Sequence, residues 1–140
     1  SSCKVGVLTI EDAKTTWMHI PGDPRQNYLV RMEFIPSTQK LLIQQLNRNQ
    51  NHSKLFISEP KTGSSIIINE EKNNSWINIY RNDLVKYNID FTNDFIWYNN
   101  GKNILWTSEK DGWRHLYNVS LEGKKEQLIT KGKTAFKDQL

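Results

Sequence analysis

The segment 34–69 can be laid over the segment 97–129 with only small gaps, and this internal repeat constrains the fold more than any other feature of the chain. Phe34-Ile35 falls on Trp97-Tyr98, Leu41-Leu42-Ile43 on Ile104-Leu105-Trp106, Leu55-Phe56 on Leu116-Tyr117, Gly63 on Gly123 and Ile67-Ile68 on Gln127-Leu128. A polar loop stands at the same place in both copies, 47–53 in the first and 108–112 in the second. Self-similarity at such a spacing means stacked supersecondary units, each too small to bury its apolar face alone.

The unit is made of strands. Segments of apolar and polar residues alternating with a period of two recur along almost the whole chain, bounded by Gly, Pro, Asn or Asp. They predict strands over 4–8, 15–20, 29–35, 40–46, 54–58, 65–69, 76–80, 95–98, 103–107, 113–119 and 126–129. No apolar stripe of helical period runs beyond about two turns, and abundant Asn with scarce Ala favours turns and strands. Asn100-Gly101, Asp111-Gly112, Thr62-Gly63 and Glu122-Gly123 each place glycine where a hairpin turn wants it. Four-stranded antiparallel units repeated about an axis are propeller blades. The expectation is an all-β fold, a partial β-propeller of about two and a half four-stranded antiparallel blades. Its parts would be the end of one blade over 1–22, a blade over 28–71, a strand plus insert over 72–94, the next blade over 95–132 and the start of a following segment over 133–140.

A formal charge of +4 and a pI near 9.2 raise the question of nucleic acid, so the placement of the basic residues decides. Lys4, Lys14, Arg31, Lys40, Arg48, Lys54 and Lys61 fall singly, mostly at turns, and the one dense stretch is Lys124-Lys125 with Lys131, Lys133 and Lys137. Phosphate recognition needs charge clustered along one track, so a solvated lysine-rich face is expected and no nucleic-acid partner. Cys3 is the sole cysteine and cannot form an internal disulfide. The longest apolar runs, 41–43 and 66–68, fall far short of the roughly 18 residues that span a bilayer, so neither a membrane segment nor a signal peptide is expected.

Resident chemistry is not expected either. The strained G-x-S-x-G elbow that exposes a serine nucleophile in α/β-hydrolases is missing, and Ser37, Ser58, Ser64-Ser65 and Ser108 occupy turns and strand ends. Glu70-Glu71 reads as a strand end plus a solvated turn, since neighbours on a strand point to opposite faces. His19, His52 and His115 are far apart in sequence and no metal-ligand spacing gathers them, so no metal and no cofactor is expected. Three Asn-x-Ser triplets, at Asn51, Asn73 and Asn118, are what an Asn-rich and Ser-rich chain yields by chance. The cluster Trp76-Ile77-Asn78-Ile79-Tyr80-Arg81 has two readings. Arg can hold a carbonyl or carboxylate beside a Tyr ring, or the segment is an edge strand with a snorkelling arginine.

One stretch carries a resemblance. Trp106 to Tyr117, in the form Trp-x-Ser-Glu-x-Asp-Gly-Trp-x-His-Leu-Tyr, closely resembles the propeller signature of dipeptidyl peptidase IV-like serine exopeptidases of the prolyl oligopeptidase superfamily. Leu46-Asn47-Arg48-Asn49-Gln50-Asn51 and Gln127-Leu128-Ile129-Thr130-Lys131-Gly132 are similar to two further stretches of that family, in order and spacing, and Trp17-Met18 looks like the end of a preceding blade. The resemblance implies a fragment of the N-terminal β-propeller that caps an α/β-hydrolase domain and restricts access to small peptides, in a parent that removes dipeptides from peptide N-termini. The catalytic Ser, Asp and His would lie beyond Leu140, the fragment alone would be inactive, and no residue here would be catalytic. The family places Trp, three residues and then Phe-Arg beside the substrate pocket. Here these are Trp76 and Tyr80-Arg81, which makes Tyr80 and Arg81 the candidate substrate-binding residues, with Tyr in place of Phe. Glu70-Glu71 lacks the context of the family's amino-terminus-binding glutamates and takes no such role. The resemblance also implies a homodimeric parent, self-association of the fragment through blade edges, and a periplasmic or secreted setting. The alternative is a non-enzymatic β-propeller or β-sandwich that binds protein or glycan through exposed rim aromatics.

Overall fold

The computed structural model of the chain describes residues 2–78, 95–122 and 125–132. Among them are ten strands and no helix: β1 (Gly6–Thr9), β2 (Lys14–Trp17), β3 (Asn27–Phe34), β4 (Leu41–Asn47), β5 (His52–Ser58), β6 (Ser65–Lys72), β7 (Phe95–Tyr98), β8 (Asn103–Ser108), β9 (His115–Ser120) and β10 (Lys125–Leu128). β1 and β2 form a hairpin, and β3 to β6 and β7 to β10 form two four-stranded sheets in which spatial order follows chain order. Every pairing is antiparallel. This is the up-and-down meander of a propeller blade, twice over, as the internal repeat requires. The chain divides into two compact units, Ser1–Ile77 and Asn78–Leu140.

In the first unit β4 is the spine. Leu41, Leu42, Ile43, Gln44, Gln45 and Leu46 are all buried, so both of its faces are covered and the alternation of a half-exposed strand disappears. Leu41 and Ile43 meet Phe56 of β5 and, from the hairpin side, Val5 and Met18, with Val7, Ile20, Leu29 and Ile67 packed around them. Backbone bonds close this contact: Met18 N donates to Val5 O at 2.9 Å, and His19 N donates to Gly63 O at 2.7 Å. The chain leaves β2 at Trp17 for that reason, although apolar character continues to Ile20. Gly63 has φ +78, and a Cβ there would lie 2.2 Å from the Trp17 carbonyl oxygen. Only glycine satisfies both the turn and the approach. On the other face of β4, Gln44 Nε2 donates to Ser53 Oγ at 3.0 Å, while Gln44 Oε1 is buried without a partner.

The second unit shows the period of two cleanly. Ile104, Trp106 and Ser108 of β8 are buried with their partners Val119, Tyr117 and His115 of β9, and the intervening residues are half-exposed. The opposite face carries a polar set in which Tyr98 Oη and Asn103 Nδ2 both donate to Asn118 Oδ1, at 2.6 and 3.1 Å. The β7–β8 turn carries three successive positive φ values, Asn99 (φ 52), Asn100 (φ 53) and Gly101 (φ 76), and is closed by Lys102 N donating to Asn99 O at 3.1 Å; its central pair, Asn100-Gly101, has the two positive φ values of a type I′ turn.

Two expectations are corrected. The strand expected over 65–69 continues to Lys72, because Glu70 and Lys72 find cross-strand partners in Lys54 and His52. Trp76–Asn78, expected as the start of a strand over 76–80, lies in no strand. Ile77 N donates to the Gln50 carbonyl of the β4–β5 turn at 2.7 Å and Ile77 is buried while Trp76 is exposed, so the alternation reports burial and not a ladder.

Candidate functional site

The turn between β8 and β9 is densely built from polar groups. Ser108 Oγ accepts from Lys110 N at 3.1 Å, Glu109 O accepts from Gly112 N at 2.9 Å, and Asp111 Oδ1 accepts from Trp113 N at 3.4 Å. Gly112 takes φ +90, where a side chain would be strained. The turn delivers His115 into the sheet with only 2% of its surface exposed. His115 Nδ1 lies 3.1 Å from Thr130 Oγ1 and its Nε2 lies 3.6 Å from Asp111 Oδ2. Thr130 Oγ1 also accepts from Leu116 N at 2.9 Å.

An acid, an imidazole and a hydroxyl in line resemble a hydrolytic triad, but the hydroxyl here is committed to the backbone and ties the end of β10 to β9. The set is a clasp. Beside it Lys110 is ion-paired with Glu126 of β10 and stands 4.1 Å from the centre of the Tyr117 ring of β9, a cation–π contact, so that one side chain fastens the turn to both strands.

Tyr80 and Arg81, the candidate substrate contacts, lie outside the described residues. Asn78, two residues before Tyr80, is described: its Nδ2 donates to Glu109 Oε2 at 3.0 Å. The Asn78–Glu109 hydrogen bond is a contact that sequence reasoning missed. The two residues are 31 apart, so no local spacing announces the contact; the only signal was the Ser-Glu of the β8–β9 motif.

The remaining candidates resolve into structural roles. Glu70 lies 2.5 Å from His52 Nε2 and 3.9 Å from Lys72 Nζ. The hydrogen bond to His52 holds the Glu70 carboxyl below its ordinary value, against a smaller opposing effect of desolvation, with further attraction from His52, Lys54 and Lys72. Glu71 turns to the opposite face and is buried, so the two carboxylates share no site. Ser58 Oγ and Ser65 Oγ pair across β5 and β6 at 2.7 Å. Among the described residues no three His, Cys, Asp or Glu side chains are grouped to hold a metal ion. A groove of 730 Å³ runs along the hairpin of the first unit, with Lys4, Trp17, His19, Asn27 and Gln45 on its walls. It gathers neither paired carboxylates nor a hydroxyl beside a base.

The sequence profile of the dipeptidyl peptidase IV (DPP IV) N-terminal region matches residues 1–140, the whole chain. The chain belongs to this family. Two solved structures are similar to it: Porphyromonas gingivalis dipeptidyl peptidase 4, at 24% identity and a TM-score of 0.76 over 94% of this chain, and a Bacteroides ovatus protein assigned as a dipeptidyl aminopeptidase IV, at 21% identity and 0.69 over 92%. The chain spans 17% and 19% of the lengths of these two proteins. At such identities the likeness is one of fold, and it agrees with the blades described above. As part of a DPP IV N-terminal region, the Ser108–Tyr117 turn is the corner between the second and third strands of a blade, matched in the preceding sheet by the β4–β5 turn.

Proposed function

We propose that the chain is the non-catalytic propeller portion of a serine dipeptidyl peptidase, gating the access of peptides and forming part of the substrate wall. Membership of the DPP IV N-terminal region over all 140 residues carries this reading. In it an α/β-hydrolase domain of the parent supplies the Ser, Asp and His, the parent cleaves dipeptides from peptide N-termini, and the isolated chain is inactive. The polar groups of the β8–β9 turn support the division of labour, because each is engaged in holding a blade corner together. The parent acts as a homodimer in a periplasmic or secreted setting.

Tyr80 and Arg81 are the residues proposed to meet substrate: the Tyr80 ring stacks beside the second residue of the peptide and Arg81 holds its carbonyls. Tyr80→Ala and Arg81→Ala in the full-length peptidase are expected to lower kcat/KM about tenfold or more, the effect of losing one charged or aromatic contact. Unchanged values across several dipeptide-releasing substrates would sink the assignment.

A further inference from the structure

We infer that the groove along the β1–β2 hairpin binds the carboxyl-terminal end of a short apolar peptide. Every residue on its walls belongs to the first unit. Its volume of 730 Å³ falls in the range of sites that hold small ligands. Met18, buried, and Leu29, half-buried, give it apolar lining continuous with the core of the unit. Trp17 stays 56% exposed although its indole rests on Gly6, where a Cβ would lie 3.0 Å from the ring atoms Cε3 and Cζ3. The absent side chain lets the ring lie against the backbone, which holds an aromatic surface at the edge of the groove.

Two amides are set to accept hydrogen bonds. Gln45 is only 6% exposed; its Nε2 donates to the Pro21 carbonyl at 2.9 Å, and among the described residues no group donates to its Oε1. Asn27 Nδ2 likewise donates to the Asp23 carbonyl at 2.9 Å. Gly22, at φ +107, makes room for that amide, since a Cβ there would lie 2.8 Å from Asn27 Nδ2. With their nitrogens engaged by backbone, both side chains have oxygen left to offer a ligand. Charge on the walls is of one sign. Lys4 supplies an ammonium, and no described wall residue is Asp or Glu. Asp23, next in sequence to the wall residues Gly22 and Pro24, is ion-paired with Arg25 at 3.1 Å.

A ligand that fits must bring an apolar body, N–H donors and a negative charge. The end of an apolar peptide carries all three within one or two residues. A fatty acid has the body and the charge but no donor, so it would leave the Gln45 oxygen desolvated and unpaired. A neutral sugar has donors but no charge for Lys4 and little apolar surface.

Calorimetric titration of the 140-residue chain with acetyl-Ala-Ala-Leu, as the free acid and as the carboxamide, tests this. The free acid is expected to bind about three- to tenfold more tightly than the amide, the range of one charge-assisted hydrogen bond near solvent. Lys4→Gln should erase that preference by weakening the acid alone, a selective loss that misfolding would not produce. Trp17→Ala should weaken both peptides about tenfold. Octanoate, which lacks donors, should bind at least about fivefold more weakly than the free acid. By NMR, the side-chain amides of Asn27 and Gln45 and the Trp17 indole N–H should shift as the peptide saturates.

Absence of binding at about 5 mM free acid, equal binding of acid and amide, a preference that survives Lys4→Gln, or octanoate binding as tightly as the peptide overturns the assignment. Binding that weakens as the chain is concentrated gives the groove to a second copy and overturns it too. So does binding by the 140-residue chain that the full-length parent does not share, which gives the groove to the parent's own polypeptide.

Discussion

Glycine is used at Gly63 and Gly112 for different reasons, and the difference is measurable. Both have positive φ, so alanine at either costs about 1–2 kcal/mol in backbone strain. At Gly112 nothing lies within 4 Å of the added Cβ, and the cost stops there. At Gly63 the Cβ would lie 2.2 Å from the Trp17 carbonyl oxygen, an atom that cannot turn aside as a flexible side chain would. Gly63→Ala should therefore destabilise clearly more than Gly112→Ala, by about 3 kcal/mol or more in total, because the hairpin must move off the sheet. Urea unfolding of the two variants decides the matter: equal shifts of the midpoint would show that the approach is not fixed.

At the scale of elements, the β5–β6 pair carries a pH dependence of known sign. The folded Glu70 carboxyl is held below its ordinary value of 4.5, chiefly by the His52 hydrogen bond. A depressed carboxyl stabilises the fold above its unfolded value, and that contribution is lost as pH falls through the depressed folded value. The pair is half in solvent, so screening limits its worth to about 1 kcal/mol at most. His52→Ala should return the Glu70 titration towards 4.5 by NMR, and its stability deficit should close in acid. A deficit that persists unchanged below the folded titration would assign it to packing.

The strands differ in how far they were legible in the sequence. β8 and β9 could be read residue by residue, since Ile104, Trp106, Tyr117 and Val119 alternate with half-exposed neighbours. β4 could be recognised but not its burial, because Gln44 and Gln45 are polar and yet buried, held by Ser53 and by the Pro21 carbonyl. The end of β6 was hidden because Glu70, Glu71 and Lys72 look like a solvated turn until His52, Ser53 and Lys54 are laid beside them. Trp76–Asn78 misled in the opposite direction, alternation without a partner strand. The candidate site was half legible. The motif pointed to the β8–β9 turn, but the bond from Glu109 to Asn78 depends on tertiary proximity that no local pattern encodes.

For the whole molecule, the balance of exposed apolar surface predicts association. Leu8, Ile10 and Trp17 of the hairpin region, Met32 and Phe34 of β3 and Ile66 of β6 are all more than half exposed. No described strand pairs with the far side of β10. Surfaces and edges of this kind recruit further strands. Sedimentation velocity of the 140-residue chain should show a concentration-dependent rise in mean mass, and a clean monomer at high concentration would contradict the prediction.

The bond from His19 to Gly63 also has a consequence for the order in which the chain assembles. The β1–β2 and β5–β6 turns close locally and can form within microseconds, whereas His19 and Gly63 meet only after all of β3, β4 and β5 has been laid down between them. Closing that long loop carries an entropic penalty that the short hairpins avoid. The hairpin is therefore expected to be the last piece of its unit to dock, and exchange of the His19 amide hydrogen with solvent would report that step.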